Sequence, residues 1–149
     1  MLQELFITNF VLIDKVTINL CDRLNVFSGA TGVGKSMVIG ALNFILGGRA
    51  TADIVRSGKD EATVIGKFSL KDKNLLRQIT KVADNITIDE ELLLQRTIDT
   101  HGRSRCRLND MPITVSLLKE LGEMLVNIHG QHEHETLLHG TNQLYILDD

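Results

Sequence analysis

The sequence predicts an α/β fold with a mainly parallel core sheet, flanking helices and an antiparallel β-subdomain, and three observations support this prediction. The apolar run at residues 23–28 is typical of a short buried strand. Residues 37–46 are apolar enough for a packed helix. Between them, eight residues fit the phosphate-loop pattern G-x-x-x-x-G-K-[ST] at every fixed position: Gly29, Ala30, Thr31, Gly32, Val33, Gly34, Lys35 and Ser36. Strand, glycine loop and helix are the context that this motif requires.

The chemistry of a polyphosphate explains the residue types in this loop. Backbone N–H groups have to point inward around the phosphates, and glycine reaches the necessary positive-φ conformations without a Cβ clash. The helix that follows adds unpaired N–H groups and the positive end of its dipole. We expect Lys35 to reach the β- and γ-phosphates and the Ser36 hydroxyl to bind Mg²⁺. The motif therefore predicts a nucleoside-triphosphate site.

Composition narrows the class of protein. The chain has 149 residues, of which 43% are hydrophobic, enough for one core. Its net charge of −3 argues against a protein that wraps nucleic acid over its whole surface. Two distant cysteines, Cys21 and Cys106, suit a reducing cytosol. We expect no signal peptide and no membrane span. Because the chain stops at Asp149 within a predicted helix, we expect a fragment of a longer protein.

In the first half of the chain, residues 2–10 and 11–20 alternate apolar and polar side chains, which predicts an antiparallel pair of strands. The helix after the loop contains Gly40, which we expect to pack closely on the sheet. Gly47 and Gly48 supply a left-handed cap that ends this helix. Residues 49–60 are polar and predict a loop.

In the second half, residues 62–70 predict a strand, and residues 92–98 and 104–108 predict a hairpin that turns at His101 and Gly102. Apolar residues at helical spacing predict helices over 72–83 and 114–125. Residues 124–128 predict a further strand, and a helix begins near residue 142.

Four segments resemble the N-terminal half-head of the SMC-like, ABC-type ATPases, and within them a bacterial DNA-repair branch. One is the phosphate loop in its position after a short second strand. The others are Leu5-Phe6-Ile7-Thr8-Asn9-Phe10, Leu46-Gly47-Gly48-Arg49-Ala50 with Val55-Arg56-Ser57-Gly58, and Ile128-His129-Gly130-Gln131-His132. Ala30 and Gly40 depart from the family pattern, because acidic residues are common at both positions. The resemblance covers essentially all of residues 1–149.

The resemblance implies the roles of two further residues and of several partners. Gln131 would contact Mg²⁺ and position the attacking water, with Lys35 as the other catalytic residue. Arg56 would lie near the nucleotide. ATP with Mg²⁺ would drive engagement of two heads on DNA, most simply as a homodimer, in the repair of double-strand breaks. The C-terminal half-head, beyond a coiled coil, would complete each site, so this chain alone would be a poor ATPase. The family acts in the cytoplasm, with the nucleoid.

The sequence leaves four alternatives open. Arg103, Arg105 and Arg107, joined by Arg96, can form a phosphate-binding face for DNA or a charged edge strand that resists aggregation. The histidine tract at residues 129–139 can bind a metal, although its spacing fits no zinc pattern. Residues 144–149 can be the acidic strand of a self-sufficient P-loop NTPase or kinase that uses Asp148 or Asp149. A head from a chromosome-structural or gap-repair protein of the same family is the nearest alternative.

Overall fold

The computed structural model describes residues 1–28 and 33–126, with the side chain of Val33 excepted. Six strands and three α-helices make up this part of the chain. The strands are β1 (Leu2–Phe10), β2 (Ile13–Asn19), β3 (Glu61–Ser69), β4 (Glu91–Asp99), β5 (Ser104–Leu108) and β6 (Met111–Ile113). The helices are α1 (Val33–Ile45), α2 (Lys73–Val82) and α3 (Val115–Leu125), with a single 3₁₀ turn at Ala52–Ile54.

The strands form one sheet in the order β2-β1-β3-β4-β5-β6, and every pair of neighbours is antiparallel. The predicted antiparallel β-subdomain is therefore confirmed. The sheet contains no parallel pair within the described residues, so the predicted mainly parallel core is not confirmed.

The two faces of the sheet differ in character. One face is apolar and buried, with Leu5, Ile7, Val64 and Leu94 aligned across three strands by the register. This face carries α1, since Phe44 of α1 packs against Phe10 with ring centroids 5.7 Å apart. The opposite face carries polar side chains, among them a row of threonines. In that row Thr63 and Thr97 share a hydrogen bond of 2.9 Å.

The segment at residues 23–28 does not form the predicted buried strand within the described residues. Within the described residues this segment pairs with no strand, and its apolar side chains are exposed: Leu24 by 80%, Val26 by 75% and Phe27 by 47%. A strand needs a neighbour to satisfy its backbone groups and to bury its side chains. Here the apolar residues alternate as in a strand, but no strand of the described residues pairs with the segment.

The second α-helix and the third begin as their sequences predict. Asp72 caps α2 by accepting hydrogen bonds from the backbone N–H groups of Asn74 and Leu75, and Thr114 caps α3 by accepting one from Leu117. The predicted strand at residues 124–128 is wrong for its described part, because Met124 and Leu125 complete the last turn of α3. An apolar stripe at helical spacing continues through both residues, so the helix extends over them.

Replacement of Gly40 by alanine is expected to stabilise the chain by about 1 kcal/mol, because glycine is the poorest ordinary residue inside a helix. The predicted close packing at Gly40 is wrong. An added Cβ would meet only the Phe10 ring at 3.7 Å, an ordinary van der Waals contact. Urea unfolding of the two proteins would measure the difference, and a destabilised variant would mean that α1 packs more tightly than the structure indicates.

Candidate functional site

The first turn of α1 brings together three residues of the phosphate-loop motif. The helix begins at Val33, and Gly34, Lys35 and Ser36 follow as exposed residues in its first turn. A Cβ added at Gly34 would meet no atom of the described residues within 4 Å. The other motif residues, Gly29, Ala30, Thr31 and Gly32, lie outside the described residues.

The electrostatics of this turn suit an anion. The first N–H groups of a helix have no partner inside it and carry the positive end of the helix dipole. No acidic residue occurs in the sequence between Ser28 and Leu46, and Lys35 adds a full positive charge. An ammonium group and a hydroxyl on one helical turn are the donors that hold a phosphate and a Mg²⁺ ion. The donor set therefore fits a magnesium–nucleotide complex.

The opposite end of α1 is held by a Schellman cap, as the two glycines predict. Gly47 has a φ of +88°, and its N–H donates to the carbonyl of Phe44 over 3.2 Å. Gly48 donates to the carbonyl of Asn43 over 2.9 Å. These are the two hydrogen bonds of the Schellman motif, in which glycine supplies the left-handed residue.

A buried arginine contacts the same end of α1, on the face of the sheet opposite to the predicted one. Arg96 is 4% exposed and lies on the helix-facing side of β4, opposite Cys106 of β5. The prediction that it joins Arg103, Arg105 and Arg107 is therefore wrong. The strand period of two places Arg96 on the other face, because Arg105 and Arg107 flank its partner Cys106.

The guanidinium of Arg96 binds backbone carbonyls of α1 and of its cap. It donates to the carbonyl of Phe44 at 2.9 Å and to that of Gly48 at 2.6 Å, and it lies 4.5 Å from the centroid of the Phe44 ring. Burial lowers the pKa of Arg96, and burial raises the pKa of the neighbouring Cys106 thiol. The sequence gives one indication of this role: in the alternation of β4, Arg96 falls at an inward-facing position.

Helix α3 approaches the same end of α1 through close backbone contacts at two glycines. A Cβ added at Gly47 would lie 2.4 Å from the Cα of Lys119, and one added at Gly122 would lie 2.4 Å from the carbonyl oxygen of Leu46. Real Cβ atoms do not approach so closely, so both positions require glycine. The chain continues from α3 toward Gln131, which lies outside the described residues.

Arg56 is tied to the turn between β1 and β2. Its guanidinium donates to the carbonyl of Leu12, and its backbone N–H donates to the carbonyl of Asn9 over 2.9 Å. Val55 forms an isolated bridge with Phe10, which anchors the loop beside β1. Arg56 is half-buried there. Its proximity to a nucleotide stays a prediction.

The arginines of β5 and its preceding turn are exposed, as predicted, and each has an intramolecular acceptor. Arg103 pairs with Asp99 at 2.8 Å, and its backbone N–H bonded to the same carboxylate helps to lower the pKa of Asp99. Arg105 pairs with Glu61. Arg107 donates to the carbonyl of Asp110 over 2.8 Å. These intramolecular contacts disfavour a free phosphate-binding row. The edge-strand prediction is wrong as well, because β5 lies between β4 and β6 in the sheet.

The histidine tract at residues 129–139 and the acidic end at Asp148 and Asp149 lie outside the described residues. Over residues 1–28 and 33–126, no group of three histidine, cysteine, aspartate or glutamate side chains could hold a metal ion. Within the same ranges, no helix is both long enough and apolar enough to cross a membrane.

Comparison with known proteins gives the family. The AAA domain family profile matches residues 4–134. The chain is 40% identical to DNA repair protein RecN of Halalkalibacterium halodurans over 148 residues and 36% identical to RecN of Bacillus subtilis. Each alignment covers 99% of this chain but 26% of the relative. The chain thus spans about a quarter of the length of these relatives.

Solved structures agree on the fold. One chain, from a study of ATP-driven dimerization and DNA-stimulated activation of SMC ATPases, superimposes with a TM-score of 0.72 at 22% identity, covering 99% of this chain and 97% of that one. The Smc head domain of Pyrococcus furiosus gives a TM-score of 0.75 at 21% identity, covering 99% of this chain and 41% of that one. The chain therefore belongs to the AAA domain family, has the α/β fold of a P-loop NTPase head, and is similar over its whole length to the N-terminal part of RecN.

Proposed function

We propose that this chain is the ATP-binding N-terminal part of an SMC-like ATPase head that acts in the repair of DNA double-strand breaks. One observation carries the proposal. Gly34, Lys35 and Ser36 complete a phosphate-loop motif in the exposed first turn of a helix whose other end is fixed to the sheet. Such an arrangement holds a polyphosphate by positioning and charge, which is also how phosphoryl transfer is catalysed.

The residues of the motif divide the binding of ATP and Mg²⁺ among them. The backbone N–H groups of residues 29–34 would surround the phosphates, Lys35 would neutralise the β- and γ-phosphates, and the Ser36 hydroxyl would bind Mg²⁺. The metal would neutralise the charge that develops on the γ-phosphoryl group. Gln131 would bind the metal and orient the attacking water, and Arg56 would approach the nucleotide from the β1–β2 turn.

The rest of the head would come from a second segment of the same protein. The exposed segment at residues 23–28 has strand-like alternation, and a parallel strand from a C-terminal half-head would pair with it and cover Leu24, Val26 and Phe27. That pairing would create the mainly parallel core sheet. The RecN relatives are about four times as long as this chain, which leaves room for such a half and for a coiled coil.

Engagement of two heads would follow from the same arrangement. A structurally similar chain comes from a study of ATP-driven dimerization and DNA-stimulated activation of SMC ATPases. By analogy, ATP would join two heads of this protein as a homodimer on DNA, and hydrolysis would release them. The site of action would then be the cytoplasm, with the nucleoid.

Loss of Lys35 is expected to weaken the binding of Mg²⁺–ATP by about 100-fold, because a charge-assisted contact to a phosphate contributes roughly 2–3 kcal/mol. The measurement is titration calorimetry of the chain and its Lys35→Ala variant. Lys81→Ala is the matched control. Lys81 is an exposed lysine in the last turn of α2, so its replacement by alanine removes the same charge.

The rate of ATP hydrolysis distinguishes the proposed split head from a self-sufficient P-loop enzyme. The chain alone should hydrolyse ATP poorly, and addition of the C-terminal part should restore hydrolysis in the wild type but not in Lys35→Ala. Turnover by the chain alone that disappears in Lys35→Ala would overturn the split-head proposal. It would identify a self-sufficient P-loop enzyme that uses Asp148 or Asp149.

A further inference from the structure

Arg96 is the only charged side chain among the buried positions of the described residues. None of the ion pairs found in residues 1–28 and 33–126 includes it. Its two terminal nitrogens donate to the carbonyls of Phe44 and Gly48 and, over 3.3 Å, to the Ser104 hydroxyl. Its Nε atom is buried and has no hydrogen-bond partner in the same ranges. The charge is thus compensated mainly by backbone carbonyls and by the Phe44 ring.

Arg96 occupies the space between β4 and α1, and burial of its charge without a carboxylate costs desolvation free energy. An apolar side chain of similar volume would fill it without the desolvation cost. The guanidinium does what an apolar side chain cannot do. It bonds two carbonyls four residues apart at the C-terminal end of α1, where the helix dipole is negative.

Two such bonds define the placement of α1 as a rigid element. Phe44 lies in the last turn of α1 and Gly48 lies in the cap that follows it, so a rotation of α1 about its axis or a slide along it would break at least the bond to Phe44. The other end of the same helix carries Lys35 and Ser36. Phe44 lies about 12 Å from Ser36 along the axis, since each residue of a helix rises 1.5 Å. A small rotation at the capped end is therefore transmitted to the phosphate-binding turn.

We infer that Arg96 is a positioning residue for the nucleotide site, which holds α1 against β4 so that Lys35 and Ser36 meet the phosphates. This inference rests on the function proposed above. A displacement of about 1 Å at a binding group can lower a rate by about 100-fold. Loss of the Arg96 hydrogen bonds to Phe44 and Gly48 should therefore affect the nucleotide site, although Arg96 does not touch it.

The test compares Arg96→Met, which keeps the unbranched packing volume, with Arg96→Lys, which keeps the charge. Both variants are made in the full-length protein that contains this chain, and Mg²⁺–ATP affinity and kcat/KM are measured at a temperature where circular dichroism shows each variant folded. We expect Arg96→Met to weaken ATP binding by between about 10- and 100-fold and Arg96→Lys to recover part of the loss. Amide exchange without nucleotide should be faster in α1 for Arg96→Met.

A second core variant separates positioning from stability. Ile79 is fully buried in α2, and its replacement by alanine lowers stability without removing a hydrogen bond to α1. Ile79→Ala should leave ATP affinity within about twofold of wild type while its melting temperature falls. If Arg96→Met does not fold, Arg96→Lys carries the comparison.

Wild-type affinity and unchanged α1 exchange in a folded Arg96→Met or Arg96→Lys variant would overturn the inference. An equal loss of affinity in Ile79→Ala would also overturn it, because stability alone would then account for the effect. If the wild type itself does not bind Mg²⁺–ATP, the proposed function fails, and the inference fails with it.

Discussion

Gly122→Ala is expected to destabilise the chain by about 2 kcal/mol, although alanine is the better helix former. The added Cβ would lie 2.4 Å from the carbonyl oxygen of Leu46 and 2.9 Å from its carbonyl carbon. These are backbone atoms that cannot rotate away, so α3 and the end of α1 would have to separate. Overpacking of this kind costs up to about 3 kcal/mol, and the higher helix propensity of alanine returns about 1 kcal/mol.

The Gly40→Ala variant is the matched control for this prediction, because it makes the same chemical change inside a helix. At Gly40 the new methyl group has room, so the two substitutions should change the free energy of unfolding in opposite directions. Urea unfolding of both variants measures the contrast directly. A Gly122→Ala protein as stable as the wild type would mean that the backbones of α1 and α3 are farther apart than described.

Val26→Asp is expected to leave this chain almost unchanged and to prevent its assembly with the rest of the protein. Val26 is 75% exposed, so a carboxylate there should change the free energy of unfolding of the chain by less than about 0.5 kcal/mol. In the proposed parallel core the same position would be covered by a neighbouring strand. Burial of an unpaired carboxylate would then weaken the association of the two halves by at least about 100-fold.

The measurement is a binding assay between this chain and the C-terminal part of the protein, followed by ATP hydrolysis of the mixture. Met111→Asp is the control, because Met111 is 51% exposed and lies on β6, at the edge of the sheet. The control should associate normally. Association of the Val26→Asp chain at wild-type strength would exclude residues 23–28 from the joining surface.

Elements with strong local signals were predicted correctly. The hairpin of β4 and β5 turns where a glycine was expected, and Gly102 has a φ of +79°. The Gly47-Gly48 cap and the helix starts at Asp72 and Thr114 follow from capping chemistry within a few residues. Such features depend on neighbours in the sequence, and a single sequence contains that information.

Features that depend on distant partners were predicted less well. Residues 23–28 carry a strand pattern, but whether they form a strand depends on a neighbour that the described chain does not supply. The charge of Arg96 indicates the exposed face, but its place in the alternation of β4 puts it on the buried face. In the candidate site, the motif predicted the helix that carries Lys35 and Ser36. The Arg96 contacts to α1 join residues about 50 positions apart and left no pattern in the sequence.

The order of strands in the sheet has a consequence for synthesis on the ribosome. Within the described sheet, only the β1–β3 pairing joins strands that are not consecutive in the chain. The other four pairings join strands that are consecutive in the chain, which favours early folding, and N-terminal segments fold first as the chain emerges. In a protein built like the RecN relatives, the sheet would form while most of the chain is still unmade. Leu24, Val26 and Phe27 would then stay exposed until the later half arrives, which makes this segment the natural place for a chaperone to bind in the meantime.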